Sequence, residues 1–130
     1  MFFSRDRTVS MAELVHFTLA SDDVDRAQAF YSAVFSSEFT PVELGGETLY
    51  RGSLAGLGMV ICPAAMADVV ANRSRHQLRF EVEDVAGMLD LTGVAGGRVH
   101  TPLTDAGGRP YAVVCDPDNN TIEFVQVSSE

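Results

Sequence analysis

The sequence predicts an α+β fold of two βαβββ modules, an internal repeat whose curved mixed sheets form a cleft and whose helices lie on the outer faces. Three observations lead there. An alternating strand, an acidic cap and an amphipathic helix succeed one another in VHFTLASDDVDRAQAFYSAVF, residues 15–35. The same order returns more loosely in QLRFEVEDVAGMLDL, residues 77–91. After each helix come three short strand-like runs set off by glycine turns.

In the first strand, Val15, Phe17 and Leu19 alternate with His16, Thr18 and Ala20, so one face is apolar and the other carries His16. Ser21, Asp22 and Asp23 offer acceptors for a helix N-cap, and Asp25 adds negative charge to the first turn. Val24, Ala27, Phe30, Tyr31, Val34 and Phe35 recur at helical spacing, a stripe that needs a sheet to cover, and the helix is predicted to end near Ser36. FTPVEL, a Gly45-Gly46 turn, ETLYRG and GMVIC complete a first module over residues 12–63. Residues 1–11 read as an N-terminal arm and residues 64–73 as a small-residue connector.

The second module, residues 74–127, opens with Gln77, Arg79 and Glu81 alternating with Leu78, Phe80 and Val82. Asp84 is expected to cap a helix whose stripe is Val85, Met88, Leu89 and Thr92. Gly87 costs about 1 kcal/mol relative to Ala, so a short helix stopping by Gly96-Gly97 is expected. The strands RVHTPL, RPYAVVC and TIEFVQV follow, and residues 128–130 are a tail.

Composition narrows the partners. A chain of 130 residues that is 46% hydrophobic can bury one core. Its 18 acidic and 9 basic residues give a net charge of −9, which repels nucleic acid and anionic membrane surfaces alike. Every basic residue is an arginine, so Schiff-base chemistry and a phosphate-loop lysine are excluded, and no nucleotide cofactor is expected. Cys62 and Cys115 sit in apolar runs without metal or disulfide spacing, which predicts buried free thiols in a reducing compartment. With no secretory pattern at the start and no run of the roughly 20 apolar residues a membrane span needs, a cytoplasmic address is expected.

Registering Asp23-Val24 on Asp84-Val85 places His16 on Gln77, Thr18 on Arg79 and Ala20 on Glu81, so the polar faces of the first and fifth strands are equivalent surfaces. Through HFTLASDDVDRAQAFYSAVF, FEVEDV and CDPDNNTIEF, the chain resembles the vicinal oxygen chelate superfamily over residues 13–127. That superfamily includes glyoxalase I, bleomycin-resistance proteins, fosfomycin-resistance thiol transferases, methylmalonyl-CoA epimerase and extradiol dioxygenases. Residues 116–120 match its DPDGN turn with Asn119 in place of Gly, a mild exchange because Asn tolerates a left-handed backbone.

The resemblance implies a divalent metal (Ni, Zn, Mn or Fe) held from the first, fourth, fifth and eighth strands. His16, Gln77 and Glu123 fall on three of those positions, and the fourth strand offers only Met59 or Val60. Against this stands Arg79, whose guanidinium can pair with Glu123 or Glu81 and fill the space of a cation. His76 adjoins Gln77 on the opposite face, His100 reads as a rim residue, and Tyr50, Arg51 and Tyr111 lie on strands lining the cup, where ordinary packing is the plainer role.

Two functions follow from the resemblance. One is a metal-dependent lyase, isomerase or oxygenase of the glyoxalase type acting on a small oxygen-rich metabolite, with Glu123 moving a proton. The other is a metal-free protein that binds and sequesters a drug or metabolite, with Arg79, Glu81 and Tyr111 contacting the ligand. The resemblance also implies a homodimer in which His16 of one chain meets Gln77 and Glu123 of the other.

Overall fold

A computed structural model describes residues 16–67 and 77–127. The arm at 1–11, most of the connector, His76 and the tail at 128–130 lie outside the described residues. The elements run β1 (His16–Ser21), α1 (Val24–Phe35), β2 (Phe39–Leu44), β3 (Glu47–Leu54), β4 (Leu57–Pro63), β5 (Leu78–Val82), α2 (Val85–Val94), β6 (Arg98–Ala106), β7 (Arg109–Cys115) and β8 (Thr121–Gln126). They form two four-stranded mixed sheets, ordered β1-β4-β3-β2 and β5-β8-β7-β6. The pair β1/β4 is parallel, as is β5/β8, and the remaining pairs are antiparallel, so the βαβββ repeat holds strand for strand.

Both helices form where the caps and stripes place them. Asp23, in an extended conformation, accepts from Arg26 N at 3.1 Å, and Ser36 ends α1 with φ 54. Asp84 holds the corresponding N-cap position, but its carboxylate makes no capping hydrogen bond, contrary to expectation. Gln126 Oε1 accepts from Val85 N at 3.2 Å instead, because β8 brings an amide to the helix start. The Asp84 side chain lies over Gly87, where an added Cβ would come within 2.8 Å of Oδ2.

One apolar core joins the modules. Ala27, Phe30, Tyr31 and Val34 of α1 pack with Met59 and Ile61 of β4, Val85 of α2, and Ala112, Val114, Ile122 and Phe124 of β7 and β8. Phe35 extends α1 toward the second sheet, its ring centroid 4.6 Å from Phe80 and 6.2 Å from Phe124. Cys62 and Cys115 are buried free thiols, and burial raises the Cys62 thiol above its ordinary range. Gly97 lets the α2–β6 turn close on this core, since a Cβ there would fall 2.5 Å from the Cys115 carbonyl oxygen and 2.7 Å from the Phe30 ring. Among the described residues no helix is long and apolar enough to cross a membrane.

The turn at residues 116–120 departs from the repeat. In the first module, β3 and β4 are joined through Ala55-Gly56, whereas β7 and β8 are joined through Asp116, Pro117, Asp118, Asn119 and Asn120. Asn119 takes φ 73, the left-handed conformation that Gly would otherwise supply. Fully buried Asp116 accepts from Asp118 N, Asn120 N and Asn120 Nδ2 at 2.8 to 2.9 Å, and from Tyr31 Oη at 2.7 Å. Asp118 accepts from Ser21 Oγ at 2.6 Å, Asp22 N at 3.1 Å and Arg26 Nη2 at 3.3 Å. This second-module turn is thereby bonded to the β1–α1 junction of the first.

Burial, reinforced by the Asp116 and Asp118 carboxylates, holds the Tyr31 phenol well above its ordinary pKa of 10.0. A raised folded-state pKa leaves stability intact below the unfolded tyrosine value and removes it as pH climbs above that value. Tyr31→Phe is expected to cost about 1–3 kcal/mol at neutral pH, the range for a buried hydrogen bond, and to flatten the loss of stability above about pH 10. Urea unfolding of both proteins at neutral and alkaline pH checks this. Gly97→Ala is expected to cost about 1–3 kcal/mol through overpacking, read as a lowered urea midpoint at unchanged slope.

Candidate functional site

The strand registers decide which side chains share the polar faces. In β1 and β4, Phe17 pairs with Met59 while Thr18 pairs with Val60. Met59 is 1% exposed within the core, so Val60 stands on the face of His16 and Thr18, with Gly58 opposite His16. Arg51, opposite Val60 in β3, is exposed on the same face. That half-surface carries His16 and Arg51 but no carboxylate on β1 or β4.

The second sheet is more polar. Three successive rungs cross β5, β8 and β7. In the first, Gln77, the residue just before β5, donates from Nε2 to Thr121 Oγ1 at 3.1 Å, turning its amide oxygen away from that contact. In the second, Arg79 pairs directly with Glu123, and Glu123 with Val113. Arg79 Nε donates to Glu123 Oε1 at 2.9 Å, the arginine side chain 66% exposed and the glutamate 18%. In the third, Glu81, Val125 and Tyr111 lie side by side. Arg109, at the start of β7, donates through Nε to the Gln126 carbonyl at 3.0 Å and lies 3.4 Å from Glu81 Oε2 through Nη2.

The fold therefore brings Arg79, Glu81, Tyr111 and Glu123 onto one face of one sheet, with Gln77 at its margin through Thr121. His16 stands on the other sheet, and no strand pairing links the two. Tyr50 faces the helix side, packed against the core, with its hydroxyl donating to Asp25 Oδ1 at 2.6 Å, a bond that raises its pKa. His100 is exposed within β6. Among the described residues no three His, Cys, Asp or Glu side chains are grouped to hold a metal ion.

Arg109 belongs to this polar face and was not among the residues that the sequence pattern singled out. It follows the Gly107-Gly108 turn and shares the parity of Tyr111, which was the available signal. Chemically, the face presents two arginines each tied to a glutamate, with a phenol and an amide beside them. Among the described residues Arg79 contacts Glu123 through Nε alone, so its two terminal nitrogens can donate to a ligand carrying paired oxygens.

A family model described as the Glyoxalase/Bleomycin resistance protein/Dioxygenase superfamily matches residues 13–124. Among solved structures, hypothetical protein SA1046 from S. aureus superposes with a TM-score of 0.75 at 15% identity, over 92% of this chain and 98% of the other. A glyoxalase-related enzyme from Fulvimarina pelagi gives 0.75 at 20% identity, over 90% and 89%. A mutant of the fosfomycin resistance protein FosX from Listeria monocytogenes, complexed with Mn(II) and 1S,2S-dihydroxypropylphosphonic acid, gives 0.74 at 19% identity, over 92% and 96%. At these identities the likeness is one of fold. No curated protein matches the chain.

The Arg79–Glu123 pair is solvent-facing at its arginine end, so its contribution to stability is small. A double-mutant cycle over Arg79→Ala and Glu123→Gln is expected to give a coupling of about 1 kcal/mol or less, shrinking in molar salt. Chemical denaturation at low and high ionic strength measures it.

Proposed function

This chain belongs to the Glyoxalase/Bleomycin resistance protein/Dioxygenase superfamily, and we propose that within it the protein binds a small oxygen-rich molecule on the polar face of β5, β8 and β7 without a metal. The observation that carries this reading is the Arg79–Glu123 contact of 2.9 Å. The four strand positions from which the superfamily holds a metal supply an imidazole (His16), a hydrocarbon (Val60), an amide (Gln77) and a carboxylate (Glu123). The carboxylate already carries a guanidinium, the amide has only a neutral, weakly donating oxygen to offer, its nitrogen being bonded to Thr121, and the hydrocarbon has no lone pair to give. That donor set does not fit a divalent ion well.

In this reading the terminal nitrogens of Arg79 take the paired oxygens of the ligand, Glu81 and Arg109 bound the site along the strands, and Tyr111 offers a ring and a hydroxyl. Both arginines are held in place by their glutamates, which reduces the ordering cost on binding.

A metal-dependent lyase, isomerase or oxygenase is the second reading. His16 and Glu123 at matched strand positions favour it, as does the Mn(II) complex of the FosX relative. In both readings the site is completed by a second copy. Among the described residues β1 and β5 are edge strands of their sheets, so the strands carrying His16 and Arg79 each present a side toward which another chain can bring its counterpart.

Elemental analysis of protein purified without an affinity tag separates the two readings. The expected result is far less than one metal per chain, with small dicarboxylates such as oxalate raising the melting temperature in EDTA and Arg79→Ala removing that rise. Stoichiometric metal, lost in His16→Ala and Glu123→Gln, would instead establish the metal-dependent enzyme. Sedimentation equilibrium at micromolar concentration is expected to give a dimer, and a stable monomer would refute the shared site.

A further inference from the structure

We infer that Arg79 is the chain's own cation, a tethered guanidinium that stands where the superfamily implies a metal and keeps Glu123 closed to divalent ions. The inference rests on the metal-free reading and goes further by naming the residue that enforces it.

The ladder carries the first step. Arg79 and Glu123 are direct partners in the parallel β5/β8 pairing, so guanidinium and carboxylate are brought together by backbone register rather than by a long, flexible reach. Their counterparts in the first module are Thr18 and Val60, direct partners in β1/β4. Neither is charged. The fold thus builds this rung without an ion pair, and the pair in the second module is a property of these two residues.

The surroundings carry the second step. Glu123 sits on β8 between Arg79 and Val113, with its side chain 18% exposed. A carboxylate so placed is only partly reached by water and attracts whatever cation is near, and Val113 offers it no partner. On the neighbouring rung, Gln77 and Thr121 are neutral and carry oxygen donors. With the guanidinium gone, the Glu123 carboxylate would be left as the one negative group on the rung, free to attract a hard divalent ion that the Gln77 amide oxygen on the neighbouring rung does not repel. Arg79 is the only cation in direct contact with Glu123 among the described residues.

The test titrates Mn(II) into the full chain and reads free ion by its EPR signal, for wild type, Arg79→Ala, Arg79→Lys and Arg79→Ala/Glu123→Gln. Arg79→Ala is expected to bind Mn(II) at least about tenfold more tightly than wild type, a difference of about 1.4 kcal/mol. Arg79→Lys is expected to restore exclusion by returning a cation, and the double variant to lose the gain. No gain in Arg79→Ala, or a gain that survives Glu123→Gln, overturns the inference and leaves the metal-free reading standing. Tight, Glu123-dependent binding already present in wild type overturns both. Should Arg79→Ala fail to fold, Arg79→Gln keeps the side-chain length without the charge and carries the same comparison.

Discussion

The buried carboxylate of Asp116 is the constraint on which the arrangement of the two modules depends. It is fully enclosed and accepts from two backbone amides and an amide side chain of its own turn, which fixes that turn's shape. The remaining acceptance, from Tyr31 Oη, comes from the other module's helix. A charged group left short of donors in such a place is costly, so the turn and α1 are held together by the penalty for separating them as much as by the bond itself. Asp118 repeats the linkage at the surface through Ser21, Asp22 and Arg26. Two similar modules thus acquire a specific relative placement from one insertion that only the second contains.

That division explains what the sequence could reveal. The modules were legible because each strand and helix states its own period: the α1 stripe names the face that becomes buried, and the β1 and β5 alternations name Phe17, Leu19, Phe80 and Val82, which pack half-buried against the same core, although Leu78 stays exposed. Asn119 was legible too, since replacing Gly in a DPDGN turn points to one conformation, and it is found there at φ 73. The choice between Met59 and Val60 was not legible. A strand of apolar residues on both faces has no parity to read, and only pairing with Phe17 and Thr18 settles it. The role of Asp84 was misread because a tertiary neighbour, Gln126, supplies the acceptor that local pattern assigned to the cap residue.

The candidate site was half legible for a related reason. Strand alternation put Gln77, Arg79 and Glu81 on one face, and the superfamily resemblance added Glu123, but which acid Arg79 would choose depended on inter-strand register. Parallel pairing sets Arg79 opposite Glu123, leaving Glu81 to Arg109, a residue whose strand begins only after the Gly107-Gly108 turn. The two ion pairs are linked: had Arg79 paired with Glu81 on its own strand, Glu123 and Arg109 would both lack an ionic partner among the described residues, Arg109 keeping only its bond to the Gln126 carbonyl.

Charge pairing also reconciles a polar site with an acidic chain. The chain carries a net charge of −9, which at long range repels the anionic, oxygen-rich molecules that a guanidinium is shaped to hold. On the polar face of β5, β8 and β7, however, Arg79 and Arg109 are matched by Glu123 and Glu81, so the face is locally neutral while guanidinium donors remain exposed. Screening confines the repulsion to about a Debye length at physiological salt, and inside that distance directional hydrogen bonds outweigh the monopole. A neutral face with fixed donors therefore selects by the geometry of a ligand's oxygens more than by its total charge. A bare divalent ion would select by charge and hardness instead, and the two kinds of selection compete for the same carboxylate.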